Sequence, residues 1–332
     1  SSTAPSAGAS TAASAFASSS AAFSASSAFL TASCSSETVE DPINIVDPTY
    51  PVITVEYGLQ EFEIEFQGIT RSFNIFVPDS YDPFDPVPLL FCMHGWGSSN
   101  EVIMAYTGFN DIASEENFIV VYPQGSYFNG TTHWNVGGWT LGSSVDDVAF
   151  IDFLIDTISE NYLINSERIY STGMSNGGYM SFLLACQLSE KIAAIASVTG
   201  SMTPETFDVC QPQRAISILQ IHGTNDVLVP YNGGNGTMAI NDVIDYWRGH
   251  NSCDSSPVVI DIPDIFALDF STVQEITYSC DNAVTNTNTM VKHYRVDGGG
   301  HDWVGAWGNR DINASELIWE FFSLYDLNGL ID

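Results

Sequence analysis

Three residues, in the order serine, aspartate, histidine, carry the side chains needed for covalent attack on a carbonyl carbon. Ser175 sits in Gly173-Met174-Ser175-Asn176-Gly177-Gly178, the G-x-S-x-G spacing that holds a serine on a strained turn between a strand and a helix. A serine hydroxyl is a weak nucleophile until a base takes its proton and the turn holds it clear of the backbone. Glycine is needed two residues before and two after Ser175, because a Cβ at either place would strike the neighbouring strand or helix. Asp226 follows in His222-Gly223-Thr224-Asn225-Asp226, and His301 in Asp297-Gly298-Gly299-Gly300-His301-Asp302-Trp303. In the expected division of labour Ser175 is the nucleophile and His301 the general base, then the general acid. Asp226 fixes the imidazole tautomer and stabilises its cation. An aspartate after a strand is more often a cap or a turn residue; the joint occurrence in this order reverses that reading. His133, His250 and His293 are assigned to structure or surface, and His94 and His222, each before a glycine, to ordering their turns.

A tetrahedral intermediate also needs preorganised donors for its oxyanion. The backbone N–H of Asn176, first in the helix after the nucleophile, is one. The loop His94-Gly95-Trp96 offers the other from the Trp96 backbone, with Gly95 letting the main chain approach the substrate. Trp134 and Trp303 fall beside these loops, so a substrate-binding role for Trp134, Trp303 and Gly95 stands next to plain core packing.

The elements that must position these residues are written in the hydrophobic periodicity. Arg168 to Thr172 reads as a short buried strand entering the nucleophile turn, and Tyr179 to Leu188 as an apolar helix leaving it. Pro88 to Met93 is an unbroken apolar run that suits a central parallel strand opening into the loop at His94. Phe118 to Tyr122, Ile192 to Val198, Ala215 to Ile221 and Met290 to Val296 read as further strands. Val148 to Ile158 has helical spacing behind an S-x-x-D cap at Ser144 and Asp147, and Met238 to His250 and Asn313 to Tyr325 are further helices. Upstream, Glu61 to Phe66 and Ser72 to Val77 alternate with period two around Gly68, a hairpin with one buried face. Strands alternating with helices give an α/β fold with a mostly parallel central sheet covered on both faces. Asp226 and His301 then lie beyond the carboxyl ends of strands, where ligand sites of such sheets occur.

The composition limits the partners. Among 332 residues, 40 are acidic and 8 basic, a formal net charge of -32, which repels nucleic acid and anionic membranes alike. No apolar run approaches the roughly 18 to 20 residues of a spanning helix, so no membrane span is expected. Of six cysteines, none forms a C-x-x-C pair. Cys253 and Cys280 flank a polar stretch that looks like an excursion from the sheet and are expected to be bridged; Cys186 and Cys210 are a second pair, and Cys92 lies in an apolar strand as a core thiol. No His/Asp cluster has metal-ligand spacing, and neither metal nor cofactor is expected. Residues 1–40 are dominated by Ser and Ala without Lys or Arg and read as a low-complexity tail or leader remnant. Leu30 stands one place too far from Cys34 for a good lipobox. Residues 41–57 read as a linker and 58–332 as the catalytic domain. Three sequons, at Asn129, Asn235 and Asn313, are possible glycan acceptors.

These residues, as HGWGSSN at 94–100, VYPQG at 121–125, DDVAF at 146–150, GMSNGGYM at 173–180, HGTNDVLVPY at 222–231 and GGGHDW at 298–303, resemble the polyhydroxybutyrate depolymerase and feruloyl esterase family, grouped with carbohydrate esterase family one. The resemblance covers roughly residues 58 to 328. It implies an α/β-hydrolase fold, a secreted serine esterase without cofactor, and the same triad. Asp302-Trp303-Val304 departs from the Thr-Trp-Pro of many relatives; the acidic surface and the Ser/Ala tail are not family features. The expectation is a secreted, monomeric carboxylic-ester hydrolase acting on polyesters or their oligomers, polyhydroxyalkanoate among them. The alternative is a feruloyl or acetylxylan esterase, and the contrasting class is a catalytically silent binding module, against which the complete triad argues.

Overall fold

The computed structural model describes residues 53–282 and 287–331, together with the short strands Thr31–Ala32 and Ile43–Ile45. Most of the expected tail and linker, Cys34 included, lies outside the described residues. The strands of the central sheet are β1 (Gly58–Phe66), β2 (Ile69–Val77), β3 (Val87–Met93), β4 (Ile119–Pro123), β5 (Ile164–Met174), β6 (Ala194–Val198), β7 (Ser217–Gly223), β8 (Val258–Asp261), β9 (Thr272–Asn282) and β10 (Thr287–Asp297). With Thr31–Ala32 at one edge they run in the order β1-β2-β4-β3-β5-β6-β7-β10-β9-β8. From β4 to β10 every pairing is parallel. Antiparallel ribbons flank this centre on both sides.

The central strands are apolar runs because both faces are covered. Every residue of β3 and β7 is buried. Alternate side chains go to opposite layers: Leu89, Phe91 and Met93 join the core shared with α3 (Asp147–Asn161), α4 (Asn176–Gln187) and α6 (Ile240–His250). Leu90 and Cys92 face the core built from α1 (Asn100–Thr107), α2 (Phe109–Glu116) and α7 (Ala314–Ser323). Helix α5 (Pro204–Val209) is short. In β1 the period-two pattern places Ile64 in the core with Phe62 and Phe66 packed against it, while Glu61, Glu63 and Glu65 face outward.

Two expectations are corrected. The stretch between Cys253 and Cys280 extends the sheet through β8 and β9; its polar residues occur because an outer ribbon has solvent on one face. The cap of α3 is Asp146, whose side chain accepts from the Ala149 N–H, so Ser144 is not the cap. Asp147 is instead turned inward into a buried ion pair with Arg71 at 2.8 Å.

All eight Lys and Arg side chains are engaged. Lys191, Arg248, Lys292 and Arg295, like Arg71, pair with carboxylates. Arg168 reaches Tyr170 and Arg214 reaches backbone carbonyls, and Arg310 lies over the Phe266 ring.

Both expected disulfides are formed, Cys186–Cys210 and Cys253–Cys280, while Cys92 is a buried free thiol. The second bridge ties the chain leaving α6 to β9, which pairs along its length with β10, the strand that leads to His301. Closing a loop of 27 residues is worth about 3 kcal/mol in the chain-entropy treatment. Replacing Cys253 and Cys280 with Ser should therefore lower the unfolding free energy by about that amount, measured by denaturant titration. An unchanged midpoint would show that the bridge adds nothing to stability.

Candidate active site

Ser175 occupies the turn between β5 and α4 with φ 54° and ψ -119°, a left-handed conformation that non-glycine residues enter only when their surroundings enforce it. The surroundings are three close approaches. A Cβ on Gly173 would lie 2.5 Å from the Gly177 carbonyl carbon, one on Gly177 2.2 Å from the Met93 carbonyl oxygen, and one on Gly178 3.0 Å from Gly200 Cα. The helix can thus start directly on top of β3 and β5. Its dipole and its free first-turn N–H groups then point at the serine. The Ser175 hydroxyl makes no capping bond to the helix.

Asp226 and His301 come together through two loops in contact across β7 and β10. A Cβ on Gly223 would fall 2.3 Å from the Gly299 oxygen, the Asn225 N–H donates to Gly299 O at 2.9 Å and the Thr224 N–H to Val296 O at 2.9 Å. His301 Nδ1 lies 2.7 Å from Asp226 Oδ2, while Oδ1 accepts from the N–H groups of Leu228 and Val229, both at 2.9 Å. The Asp226 side chain is wholly buried and that of His301 15% exposed. Burial alone would raise the Asp226 pKa, but hydrogen bonds from His222 and His301, the His301 charge and the Val229 N–H together hold it well below the ordinary carboxylate range. The two carboxylates that flank His301 in sequence are turned elsewhere: Asp297 pairs with Arg295 at 2.8 Å, and the Asp302 carboxylate lies over Gly308.

Ser175 and His301 open into one cavity of about 630 Å³, walled by Trp96, Trp139, Tyr106 and Tyr179 with Gly95, Val102, Leu228 and Thr237. Gly95 lies against Ser175, a Cβ built on it falling 3.4 Å from Ser175 Cβ. The N–H of Trp96 and the first-turn N–H of Asn176 have no acceptor among the described residues.

Trp134 and Trp303 do not line the cavity. Trp134 is wholly buried. Its N–H donates to Asn176 Oδ1 at 2.7 Å, its carbonyl accepts from Asn176 Nδ2 at 3.1 Å and its indole N–H donates to His94 O at 2.9 Å. It thereby clamps the two segments that carry the free N–H groups. Trp303 is buried against Phe109, with its indole N–H on Ser315 Oγ at 2.9 Å. Both are core residues because each indole N–H finds an interior acceptor.

The aromatic wall that sequence reading missed is Trp139, on a tight turn whose Gly138 has φ 51° and whose Cβ would fall 2.8 Å from Thr203 Cβ. Trp139 stands edge-to-face with Trp96 at 5.4 Å and with Tyr179 at 5.6 Å. The Gly137-Gly138 pair before it was the available signal. His94 is an acceptor for the Gly125 N–H at 2.9 Å, and burial lowers its pKa to about 4. His293, also lowered to about 4 by burial, bonds to the Gln220 carbonyl and Tyr231. Both hold backbone. Among the described residues no group of three or more His, Cys, Asp or Glu side chains is placed to hold a metal ion, and no helix is long and apolar enough to cross a membrane.

A serine in a strained strand-to-helix turn of an open parallel sheet, sharing a cavity with a carboxylate-bound histidine, is the arrangement of the α/β-hydrolase fold. The family described as Phospholipase/Carboxylesterase matches residues 84–245, just under half of the chain. A bifunctional acetylxylan esterase/xylanase of Neocallimastix patriciarum is 28% identical over 265 residues, 79% of this chain and 34% of its own length. A protein described as probable feruloyl esterase C of Aspergillus niger is 26% identical over 258 residues, 76% of this chain and 83% of its own. Among solved structures, an acetyl xylan esterase from Aspergillus awamori superposes with a TM-score of 0.55 at 15% identity, covering 76% of this chain and 94% of that one; it shows the shared fold. The chain has the α/β-hydrolase fold and is similar in sequence to feruloyl and acetylxylan esterases. It spans about a third of the length of the first of these relatives.

The strain at Ser175 gives a test of the turn. Ser175→Gly should abolish ester hydrolysis while raising stability by about 1 kcal/mol over Ser175→Ala, since glycine enters this conformation freely. Gly177→Ala should cost at least about 2 kcal/mol through overpacking against Met93. Equal melting temperatures for all three variants would show that the turn stores no strain.

Proposed function

We propose that this protein is a serine esterase that releases aromatic acyl groups, of the hydroxycinnamoyl type, from plant or algal polysaccharide esters outside the cell. The observation that carries this reading is the aromatic wall of Trp96, Trp139 and Tyr179 on the cavity shared by Ser175 and His301. Trp96 is 41% and Trp139 37% exposed, so both retain ring surface for a planar guest. Edge-to-face and stacked rings are favoured over aliphatic contact by about 0.5 to 1.5 kcal/mol per pair. A feruloyl group has such a ring, an acetyl group does not, and a hydroxybutyrate unit offers only methyl and methylene. The curated relatives support esters on polysaccharide over polyesters, and the two disulfides suit an oxidising exterior.

In the proposed reaction His301 takes the Ser175 proton as Oγ bonds to the ester carbon. The carbonyl electrons move to an oxyanion held by the Trp96 and Asn176 N–H groups. Collapse expels the sugar alcohol, which leaves with the proton from His301. Water, deprotonated by His301, then attacks the acyl-serine, and the acid and free Ser175 are regenerated. Asp226 stays ionised throughout. Every group needed comes from one chain, in keeping with a working monomer.

Hydrolysis of methyl ferulate, p-nitrophenyl acetate, acetylated xylan, hydroxybutyrate oligomers and an aromatic polyester tests the reading. Methyl ferulate is expected to give the highest kcat/KM, and Ser175→Ala to abolish turnover without unfolding. Trp139→Ala should raise KM for methyl ferulate about tenfold, the scale of one lost aromatic contact, and leave p-nitrophenyl acetate within about twofold. Preference for hydroxybutyrate oligomers with no response to Trp139→Ala would restore the polyester reading.

A further inference from the structure

Asp226 also meets a buried chain of polar side chains on β7 that the proposed reaction does not use. Gln220 and His222 are alternate residues of β7, and both are fully buried. Gln220 Nε2 donates to Gly200 O at 3.0 Å and lies 3.0 Å from His222 Nδ1. The Gly200 carbonyl can only accept, so it fixes which end of the Gln220 amide faces it, and that same nitrogen is the donor to His222. Nδ1 of His222 must therefore be the unprotonated acceptor, and its proton resides on Nε2. Nε2 lies 2.9 Å from Val229 O and 3.4 Å from Asp226 Oδ2.

We propose that His222 is a positioning residue that acts as a locked, neutral hydrogen-bond donor to the turn carrying Asp226. Its Nε2–H bonds mainly to Val229 O and shares its proton with Asp226 Oδ2. Asp226 Oδ1 already accepts from the Val229 and Leu228 N–H groups, so His222 closes a ring that grips both ends of residues 226–229. The carboxylate is then left one direction in which to point a lone pair, toward His301 Nδ1 at 2.7 Å. Protonating Nδ1 of His222 would set an N–H against the Gln220 amide N–H. The ring therefore stays neutral, and it restrains Asp226 without adding a charge beside it. The titratable groups facing Asp226 are His222 from β7, His301 from the loop after β10 and Tyr179 from α4; beside His301 stand Asp302 and, on α1, Tyr106.

The inference rests on the proposed roles of Ser175, His301 and Asp226. A donor withdrawn from Asp226 leaves more negative charge for the His301 imidazolium. That cation is then better stabilised, so the base protonates at higher pH. Loss of His222 should thus move the acidic limb of kcat/KM upward, whereas a role confined to holding the fold would lower the rate or the melting temperature and leave the limb in place.

The experiment compares His222→Phe, His222→Asn and His222→Gln in the full chain, with Asp226→Asn as control. Gln carries its amide nitrogen near the place of Nε2; Asn is too short to reach it. Asp226→Asn should lower kcat by roughly 10⁴; a much smaller loss would overturn the triad assignment itself. With that control met, Phe and Asn should each lower kcat about tenfold, the scale of one lost bond to a charged group, and raise the acidic limb, with Gln restoring both. If Phe does not fold, the contrast between the polar Asn and Gln variants decides. An acidic limb unmoved in Asn, or Gln no better than Asn, would overturn the positioning role while leaving the triad standing.

Discussion

The tightest constraint in the site is the approach of a helix to the two strands beneath it. At Gly177 the main chain of α4 passes so near the Met93 carbonyl that no side chain fits, and Gly173 and Gly178 extend the approach to β5 and to Gly200. This proximity forces the backbone at Ser175 into its left-handed conformation. It also aims the start of α4 at Ser175 and sets the spacing to the loop after β3. The proposed oxyanion donors, the serine and the floor of the cavity are thus one geometric object, and the rest of the sheet serves to keep that object rigid.

Rigidity on the other side comes from a set of buried polar contacts that converge on the segment 134–147. Arg71 on β2 pairs with Asp147 at 2.8 Å, and its guanidinium lies 3.8 Å from the Phe150 ring centroid. Burial opposes the Arg71 charge and the Asp147 carboxylate offsets that cost. The second oxygen of Asp147 accepts the Asn135 N–H at 2.7 Å, next to Trp134, which grips Asn176. A cation on an outer ribbon is in this way connected, through three hydrogen-bonded steps, to the first residue of α4.

The parts legible in the sequence were those in which one chemical requirement shows up as a local pattern. Apolar runs marked β3 and β7, period two marked β1 and β2, and paired glycines around Ser175 marked the turn. The loops of Asp226 and His301 stood out because each follows an apolar strand and the two come after Ser175 in the order such chemistry requires. What could not be read is where side chains from distant segments point. Trp134 and Trp303 sit beside active-site loops in sequence, yet each indole turns inward to a carbonyl or hydroxyl; Trp139, in a stretch without strand or helix periodicity, turns to the cavity instead. The ribbon of β8 and β9 was hidden for a related reason, since an outer antiparallel pair exposed to solvent has too weak an alternation to stand out from a loop.

The engagement of every Lys and Arg has an effect far from the site. With 40 acidic residues against 8 basic ones, most carboxylates have no protein cation to balance them, so neutrality must be supplied by dissolved cations. The folded chain is in effect a compact polyanion surrounded by an ionic atmosphere, about 10 Å deep at 0.1 M salt and about 30 Å deep at 0.01 M. Dilution of the medium lets repulsion between the two sheet edges and the helical layers accumulate, whereas salt relaxes it. The ionic strength of its surroundings is therefore part of what holds this protein closed, as surely as any bond within it.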